Sequence, residues 1–332
     1  PAEEDRRRAH GELDDEVRGL VRFPAGMVGD FVLLRSSGLP TYNFACVVDD
    51  DLMGITHVIR GDDHIANTPK QVVLYRALGF DLPIFAHIPL IVGADRARLS
   101  KRQGATSVSA YQEAGYLGDA FVNYLALLGW SPGGNREFVP PQQLITLFDL
   151  SKVNKTAAQF DQRKLDWLNS QYLKQMPIPQ LAQLFAERLK GKGWLDATIT
   201  PQRLERIAAL IQDRIKVLGE LEEEQSFFFL DQPQYQDEAV AKFLKQDGVG
   251  KRLLGLRERL SQLSSFETAV VEQTVRGLVA EQQLQPKDLI HPARVAVTGR
   301  AVSPPLFEVM SILGQPVVLR RLEYAATTLA TK

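Results

Sequence analysis

Thr68-Pro69-Lys70-Gln71-Val72-Val73-Leu74-Tyr75-Arg76-Ala77-Leu78-Gly79 is the stretch that decides how the first part of this chain folds. Threonine offers an oxygen to the free N–H groups of a helix start, and proline is preorganised for the first helical position. Val73, Leu74, Ala77 and Leu78 recur at helical spacing and form one apolar stripe. Gly79 supplies the left-handed residue that ends a helix. Before it, residues 31–34 and 41–48 read as strands separated by the turn Ser36-Ser37-Gly38. Along 41–48 a period of two puts Tyr42, Phe44, Cys46 and Val48 on one face. After it, residues 85–92 are an apolar, strand-like run. Strand, helix, strand in that order predicts a parallel α/β unit.

Outward from this unit the texture changes. Residues 1–20 are charged and helix-like. Beyond 105 the strand signals stop. Ser109-x-x-Gln112 reads as a capping box, and Asp119 as the cap of a helix through 128. Helical patterns follow at 165–173, 180–190, 201–221, 237–244, 261–280, 304–313 and 317–329. Proline-containing joints are expected at 176–179, 231–234 and 284–292. No fixed period recurs, so a regular solenoid is not indicated.

The chain has 332 residues, enough for two or three domains. Apolar residues make up 45% and charged residues 24%, ordinary globular usage that excludes disordered and fibrous classes. Lys plus Arg number 39 against 40 Asp plus Glu, a net charge of −1. Nucleic acid is therefore not held by bulk charge, although a local basic face remains open. The single cysteine, Cys46, permits no intrachain disulfide and no cysteine-based zinc site. The opening Pro-Ala-Glu-Glu-Asp-Arg-Arg-Arg is not a signal peptide, and the apolar run at 121–130 is too short to span a bilayer. These features predict a soluble, cytoplasmic protein.

Two clusters carry chemistry. Arg96-Ala97-Arg98-Leu99-Ser100-Lys101-Arg102-Gln103-Gly104 places four cations within seven residues, after an apolar strand. Such a loop can stabilise charge on a departing polyphosphate, and the same pattern also describes a solvated basic loop. Arg60-Gly61-Asp62-Asp63-His64 offers a guanidinium suited to bidentate capture of a carboxylate. Its acids are read as a capped turn rather than metal ligands, because adjacent residues rarely converge on one ion. Asp49-Asp50-Asp51 is read as a solvated strand end. Trp130 and Trp167, at apolar positions, are read as core. Gly248-Val249-Gly250-Lys251 lacks the first glycine, the Ser or Thr and the preceding strand of a phosphate loop, and is read as a helix joint.

Across these residues the sequence resembles bacterial-type glutamyl-tRNA synthetase, a class I aminoacyl-tRNA synthetase, from about residue 28 onward. The matching stretches include Pro40-Thr41-Tyr42-Asn43-Phe44, Ile55-Thr56-His57-Val58-Ile59-Arg60-Gly61-Asp62-Asp63-His64 and Leu99-Ser100-Lys101-Arg102. Leu128-Gly129-Trp130-Ser131, Lys164-Leu165-Asp166-Trp167-Leu168-Asn169 and Ser303-Pro304-Pro305-Leu306-Phe307-Glu308 extend the match.

The resemblance implies α/β plus all-α architecture. Residues 1–95 would be the C-terminal part of a Rossmann-like catalytic domain, and 96–175 a linking region carrying the Lys-Met-Ser-Lys-Ser-type loop. Residues 176–235 and 236–332 would be two helical anticodon-binding subdomains. It also implies a glutamate–tRNA ligase that joins ATP and L-glutamate into glutamyl-adenylate, then charges the 3′ end of tRNA-Glu. Mg2+ would accompany ATP, and the protein would be a monomer. Tyr42, Arg60 and Cys46 would hold glutamate, although some members have asparagine at position 46. Asp63, His64, Ile91 and Lys101 would line the ATP site, and Lys101, Ser100 and Arg98 would be catalytic. None of the five histidines forms the family's His-Ile-Gly-His-type motif. The chain is therefore read as lacking an N-terminal part, with little adenylation activity expected of it alone. An inactive tRNA-binding module, or an enzyme that also charges tRNA-Gln, is the alternative.

Overall fold

The computed structural model describes residues 11–24, 26–93, 95–97, 107–195 and 199–330. The chain divides into two compact units, Pro1–Gln112 with Tyr116–Leu168 and Glu113–Gly115 with Asn169–Lys332.

The first unit is built on a four-stranded mixed sheet. Strands β1 (Glu12–Asp15) and β2 (Gly19–Arg22) form an antiparallel hairpin where helix was expected. The Asp15 carboxylate accepts hydrogen bonds from the Val17 and Arg18 N–H groups, at 3.1 and 2.8 Å. This local turn outcompetes a helix, and it is the reason a charged segment folds back on itself. Helix α1 (Tyr42–Leu52) replaces the strand read at 41–48, and residues 31–34 hold only the isolated bridge Leu34–Pro40. Phe44 and Val47 face the core, at a spacing of three that period-two reading missed. Asp49-Asp50-Asp51 accordingly belongs to a helix, not a strand end.

Strand β3 (His57–Gly61) leads through a 3-10 turn (Asp62–Asn67) into α2 (Thr68–Leu78), which Gly79 ends in the left-handed conformation at φ 73°. Thr68 is the first helical residue rather than the cap, and its hydroxyl turns inward, donating to the His64 carbonyl at 3.3 Å. Strand β4 (Ile84–Ile88) then runs parallel to β3, giving the expected α/β unit with a different first strand. The sheet order is β2-β1-β4-β3. Leu13, Val47, Leu74, Tyr75 and Phe85 form the buried cluster between sheet and helices.

The run expected at 85–92 is broken by Pro89, which has no N–H for a ladder. Beyond it β5 (Ile91–Val92) pairs in parallel with β6 (Ala158–Gln159) in a separate ribbon. Helices α3 (Val108–Ala114), α4 (Gly118–Gly129), α5 (Pro141–Leu147) and α6 (Gln162–Gln175) complete this part of the chain. Ser107, not Ser109, caps α3 by accepting from the Ala110 N–H at 3.2 Å, and Asp119 sits within the first turn of α4. Trp130 is buried with Val139 and Leu144, whereas Trp167 is 42% exposed and not a core residue.

Every described element after β6 is helical. Helices α7 (Ile178–Lys192) and α8 (Pro201–Ile211) pack through Leu181, Phe185, Ile207 and Ile211, all buried. The long helix expected at 201–221 stops at Ile211, and α9 (Glu220–Glu223) is a single turn. Next come α10 (Asp237–Phe243), α11 (Val249–Ser261), α12 (Thr268–Glu281) and α13 (Lys287–Thr298). Last are α14 (Leu306–Leu313) and α15 (Gln315–Tyr324), the latter continued by a π-helical turn over Ala325–Leu329. Gly248, at φ 76°, forms the joint before α11. The joint expected at 284–292 is instead mostly helix, with Pro292 inside α13, and the helix read at 261–280 begins only at Thr268.

Candidate active site

Parallel pairing sets the site. The β3–β4 register places Arg60 opposite His87 and Val58 opposite Phe85. Successive residues of a strand alternate faces, so Arg60 shares its side of the sheet with both Phe85 and His87. The guanidinium lies 5.5 Å from the Phe85 ring centre. Its Nε donates to His87 Nε2 at 3.1 Å and its Nη2 to Thr68 Oγ1 at 2.9 Å.

Helix α1 brings the second wall. Tyr42 and Cys46 are four residues apart and so face the same way on a helix. Both lie against Arg60, and the Tyr42 hydroxyl meets His64 Nδ1 at 3.2 Å. His64 sits in the turn after β3 with Asn67 Nδ2 at 3.3 Å, and its Nε2 is 4.0 Å from Asp63 Oδ1. A Cβ at Gly61 would come within 2.6 Å of Asp63 Oδ1, so a larger residue there would turn that carboxylate away.

The electrostatics follow from this packing. Burial pushes the Arg60 guanidinium below its ordinary pKa, with Tyr42, Cys46 and Asp50 opposing the shift. Burial raises the Tyr42 hydroxyl, the Cys46 thiol adds to the rise, and Arg60 works against it. Neither His87 nor Thr68 neutralises Arg60, so its charge is available for a carboxylate. A cation held on one side, with a half-exposed tyrosine and a histidine beside it, can grip a small anionic substrate.

Of the residues expected from sequence, the fold brings together Tyr42, Cys46, Arg60 and His64, with Asp63 on the same turn. Ile91 instead lines an apolar cavity of about 200 Å³ with Ile88, Leu125, Trp130 and Phe148. Arg98, Ser100 and Lys101 lie outside the described residues. Sequence reading missed His87, Thr68, Asp15 and Asp50. Only His87 left a signal, as the one ionisable residue in the apolar run 85–92.

With this geometry in place, the class is defined. The family of class I tRNA synthetases for glutamate and glutamine (E and Q), catalytic domain, matches residues 3–167, and an anticodon binding domain matches residues 171–326. The chain belongs to the glutamate and glutamine branch of the class I tRNA synthetases. Its relatives narrow this further. Glutamate–tRNA ligase of Moorella thermoacetica is 42% identical over 318 residues, covering 95% of this chain and 65% of the relative. Glutamate–tRNA ligase 2 of Koribacter versatilis is 44% identical over 315 residues, covering 95% and 66%. The crystal structure of a glutamate tRNA ligase from Elizabethkingia meningosepticum, in complex with its amino acid, matches with a TM-score of 0.79. It is 30% identical, with coverage of 96% of this chain and 66% of that one. The chain thus spans just under two thirds of the length of these proteins. No described helix is long and apolar enough to cross a membrane.

Proposed function

We propose that this chain works in glutamate–tRNA ligation: ATP-dependent formation of glutamyl-adenylate and transfer of the glutamyl group to the 3′-terminal adenosine of tRNA-Glu. The observation that carries the reading is the Arg60 guanidinium, held by His87 and Thr68 with Tyr42 and Cys46 beside it. In the first step a glutamate carboxylate oxygen attacks the α-phosphorus of ATP and pyrophosphate leaves. In the second the tRNA hydroxyl attacks the activated carbonyl and AMP leaves.

Arg60 pairs with a substrate carboxylate, and Tyr42 and Cys46 bound the same pocket. Asp63 and His64 stand on the ATP side. Lys101, with Ser100 and Arg98, meets the charge that develops on the leaving pyrophosphate. Mg2+ would arrive on the ATP phosphates and lower their charge. Among the described residues no group of three or more His, Cys, Asp or Glu side chains gathers to hold a metal. In this reading residues 1–95 and 96–175 serve catalysis and linking, 176–235 and 236–332 read the tRNA, and the protein acts as a cytoplasmic monomer.

Calorimetric titration of L-glutamate tests the reading. Arg60→Ala should weaken binding by about 30-fold, the effect of losing one hydrogen-bonded charge contact of about 2 kcal/mol. Binding that is unchanged in Arg60→Ala would overturn the assignment. Salt-sensitive binding of tRNA without glutamate binding would favour a tRNA-binding module instead.

A further inference from the structure

Behind Arg60 lies a buried chain of side chains that the reaction does not touch. Asp15 and His87 are both fully buried, and His87 Nδ1 is 2.5 Å from Asp15 Oδ2. The same carboxylate accepts the His87 backbone N–H at 3.1 and 3.2 Å, besides those of Val17 and Arg18. Burial pushes the Asp15 carboxyl up, but these hydrogen bonds outweigh it and the net shift is downward, so Asp15 is an ionised acceptor. At the other end the Arg60 Nε always carries a hydrogen and can only donate.

These two neighbours demand one form of the imidazole. Nδ1 must carry the proton to meet the Asp15 carboxylate, and Nε2 must be bare to accept from Arg60. We propose that Asp15 and His87 are positioning residues for the substrate-binding guanidinium, Asp15 fixing the His87 tautomer whose bare Nε2 holds Arg60. The inference rests on the reading of Arg60 as the carboxylate-binding cation. His87 and Thr68 occupy the Nε–Nη2 side of the guanidinium, and the remaining side lies toward Tyr42, where a carboxylate would be met. A ligand's partner that is itself oriented by a buried acid is worth about tenfold or more in affinity where such pairs have been broken. Thr68 supports the arrangement: its one hydroxyl oxygen accepts from Arg60 Nη2 and lies 3.2 Å from His87 Nε2.

The test is nitrogen-15 NMR of the His87 ring and of the Arg60 Nε–H in the full chain, followed by glutamate titration. In the unmodified protein His87 should be the Nδ1–H tautomer, with the Arg60 Nε–H protected from exchange. Asp15→Asn places an amide NH₂ where a carboxylate oxygen accepted. The tautomer should invert to Nε2–H, Arg60 protection should be lost, and glutamate affinity should fall about tenfold. Should Asp15→Asn fail to fold, His87→Gln and His87→Leu answer the same question. Gln can donate to Asp15 and accept from Arg60, and so should retain most of the affinity that Leu loses.

An Nε2–H or doubly protonated His87 in the unmodified protein would overturn the inference. So would Arg60 protection that persists in both Asp15→Asn and His87→Leu. Glutamate binding that resists Arg60→Ala would count against the functional reading alone, since the NMR result does not depend on it.

Discussion

Two arginines of the molecule, one fully buried and one part-buried, solve the same problem in opposite ways. Arg321, in α15 of the helical unit, is fully buried and donates only to main-chain carbonyls. Its Nε reaches Asp231 at 3.2 Å, Nη1 reaches Val297 at 2.6 Å, and Nη2 reaches Phe227 and Leu230 at 2.8 and 2.5 Å. Burial pushes it down to about 10. Arg60, in the sheet unit, is only part-buried and is held by two side chains, His87 and Thr68. Backbone acceptors lock a guanidinium as a structural tie, because they cannot change without unfolding. Side-chain acceptors leave one edge available, and their protonation and geometry can be set by a further residue. The first arrangement suits a fold, the second a binding site.

The comparison breaks first at Arg321. Arg321→Leu should cost the second unit about 3 kcal/mol or more, because four carbonyls lose their donor in a buried place. Arg321→Lys should recover little, since one compact ammonium cannot span carbonyls that the planar fork reaches from three nitrogens. Urea unfolding followed in the helical unit gives the measurement. A loss below about 1 kcal/mol would mean that the tie is not structural.

Next comes the charge-retaining change at the site. Arg60→Lys keeps the cation but loses the Nε that His87 holds, so the remaining ammonium is unaimed. Glutamate should bind about tenfold more weakly, between the unmodified chain and Arg60→Ala, while the unfolding midpoint barely moves. An affinity equal to that of the unmodified chain would show that charge alone suffices and that the fork is not used.

A smaller effect is expected in acid. The folded-state pKa of Asp15 lies below its ordinary value of 3.8, so the unfolded chain takes up the proton first. The unfolded state therefore binds more protons in this window, and stability rises with pH through it. Its contribution is complete above the ordinary carboxylate pKa and is lost as pH falls through the lower folded value. Melting the first unit at a series of pH values from about 6 down to about 2.5 should show this loss, and Asp15→Asn should flatten the profile. A slope that Asp15→Asn leaves intact would place the acid sensitivity elsewhere.

How far the sequence revealed these two regions depends on which spacing carried the signal. The α2 helix was legible because cap, stripe and glycine stop all agreed, and so was the all-helical character of the second half. The hairpin at 12–22 was not, because its turn is made by one carboxylate taking two nearby N–H groups, which composition does not reveal. Strand β3 escaped because its five residues, His57 to Gly61, include an arginine, a histidine and a glycine. Helix α1 was taken for a strand, yet Tyr42 and Cys46 still ended on one face. Four residues is both two strand periods and nearly one helical turn, so the pairing survives the error. Phe44 and Val48, two and six residues on, do not share that face in a helix. His87 and Asp15 are 72 residues apart, and only the sheet register joins them.

The smallest change tests whether the open side of Arg60 is as adaptable as this contrast implies. Tyr42 is 51% exposed, and its hydroxyl meets His64 Nδ1 at 3.2 Å besides the Arg60 and Cys46 side chains. Tyr42→Phe removes that contact and the hydroxyl beside the guanidinium, but keeps the ring that walls the pocket. A single hydrogen bond in a partly solvated place is worth about 0.5–1.5 kcal/mol, so glutamate affinity should fall roughly two- to tenfold. Stability should hold, because water can replace the lost partner. Tyr42→Ala should add the loss of the wall and weaken binding further. If Tyr42→Phe proved as damaging as Arg60→Ala, the hydroxyl would be the principal contact to substrate. The guanidinium would then be a structural tie after all, like Arg321, and the division between the two arginines would fall.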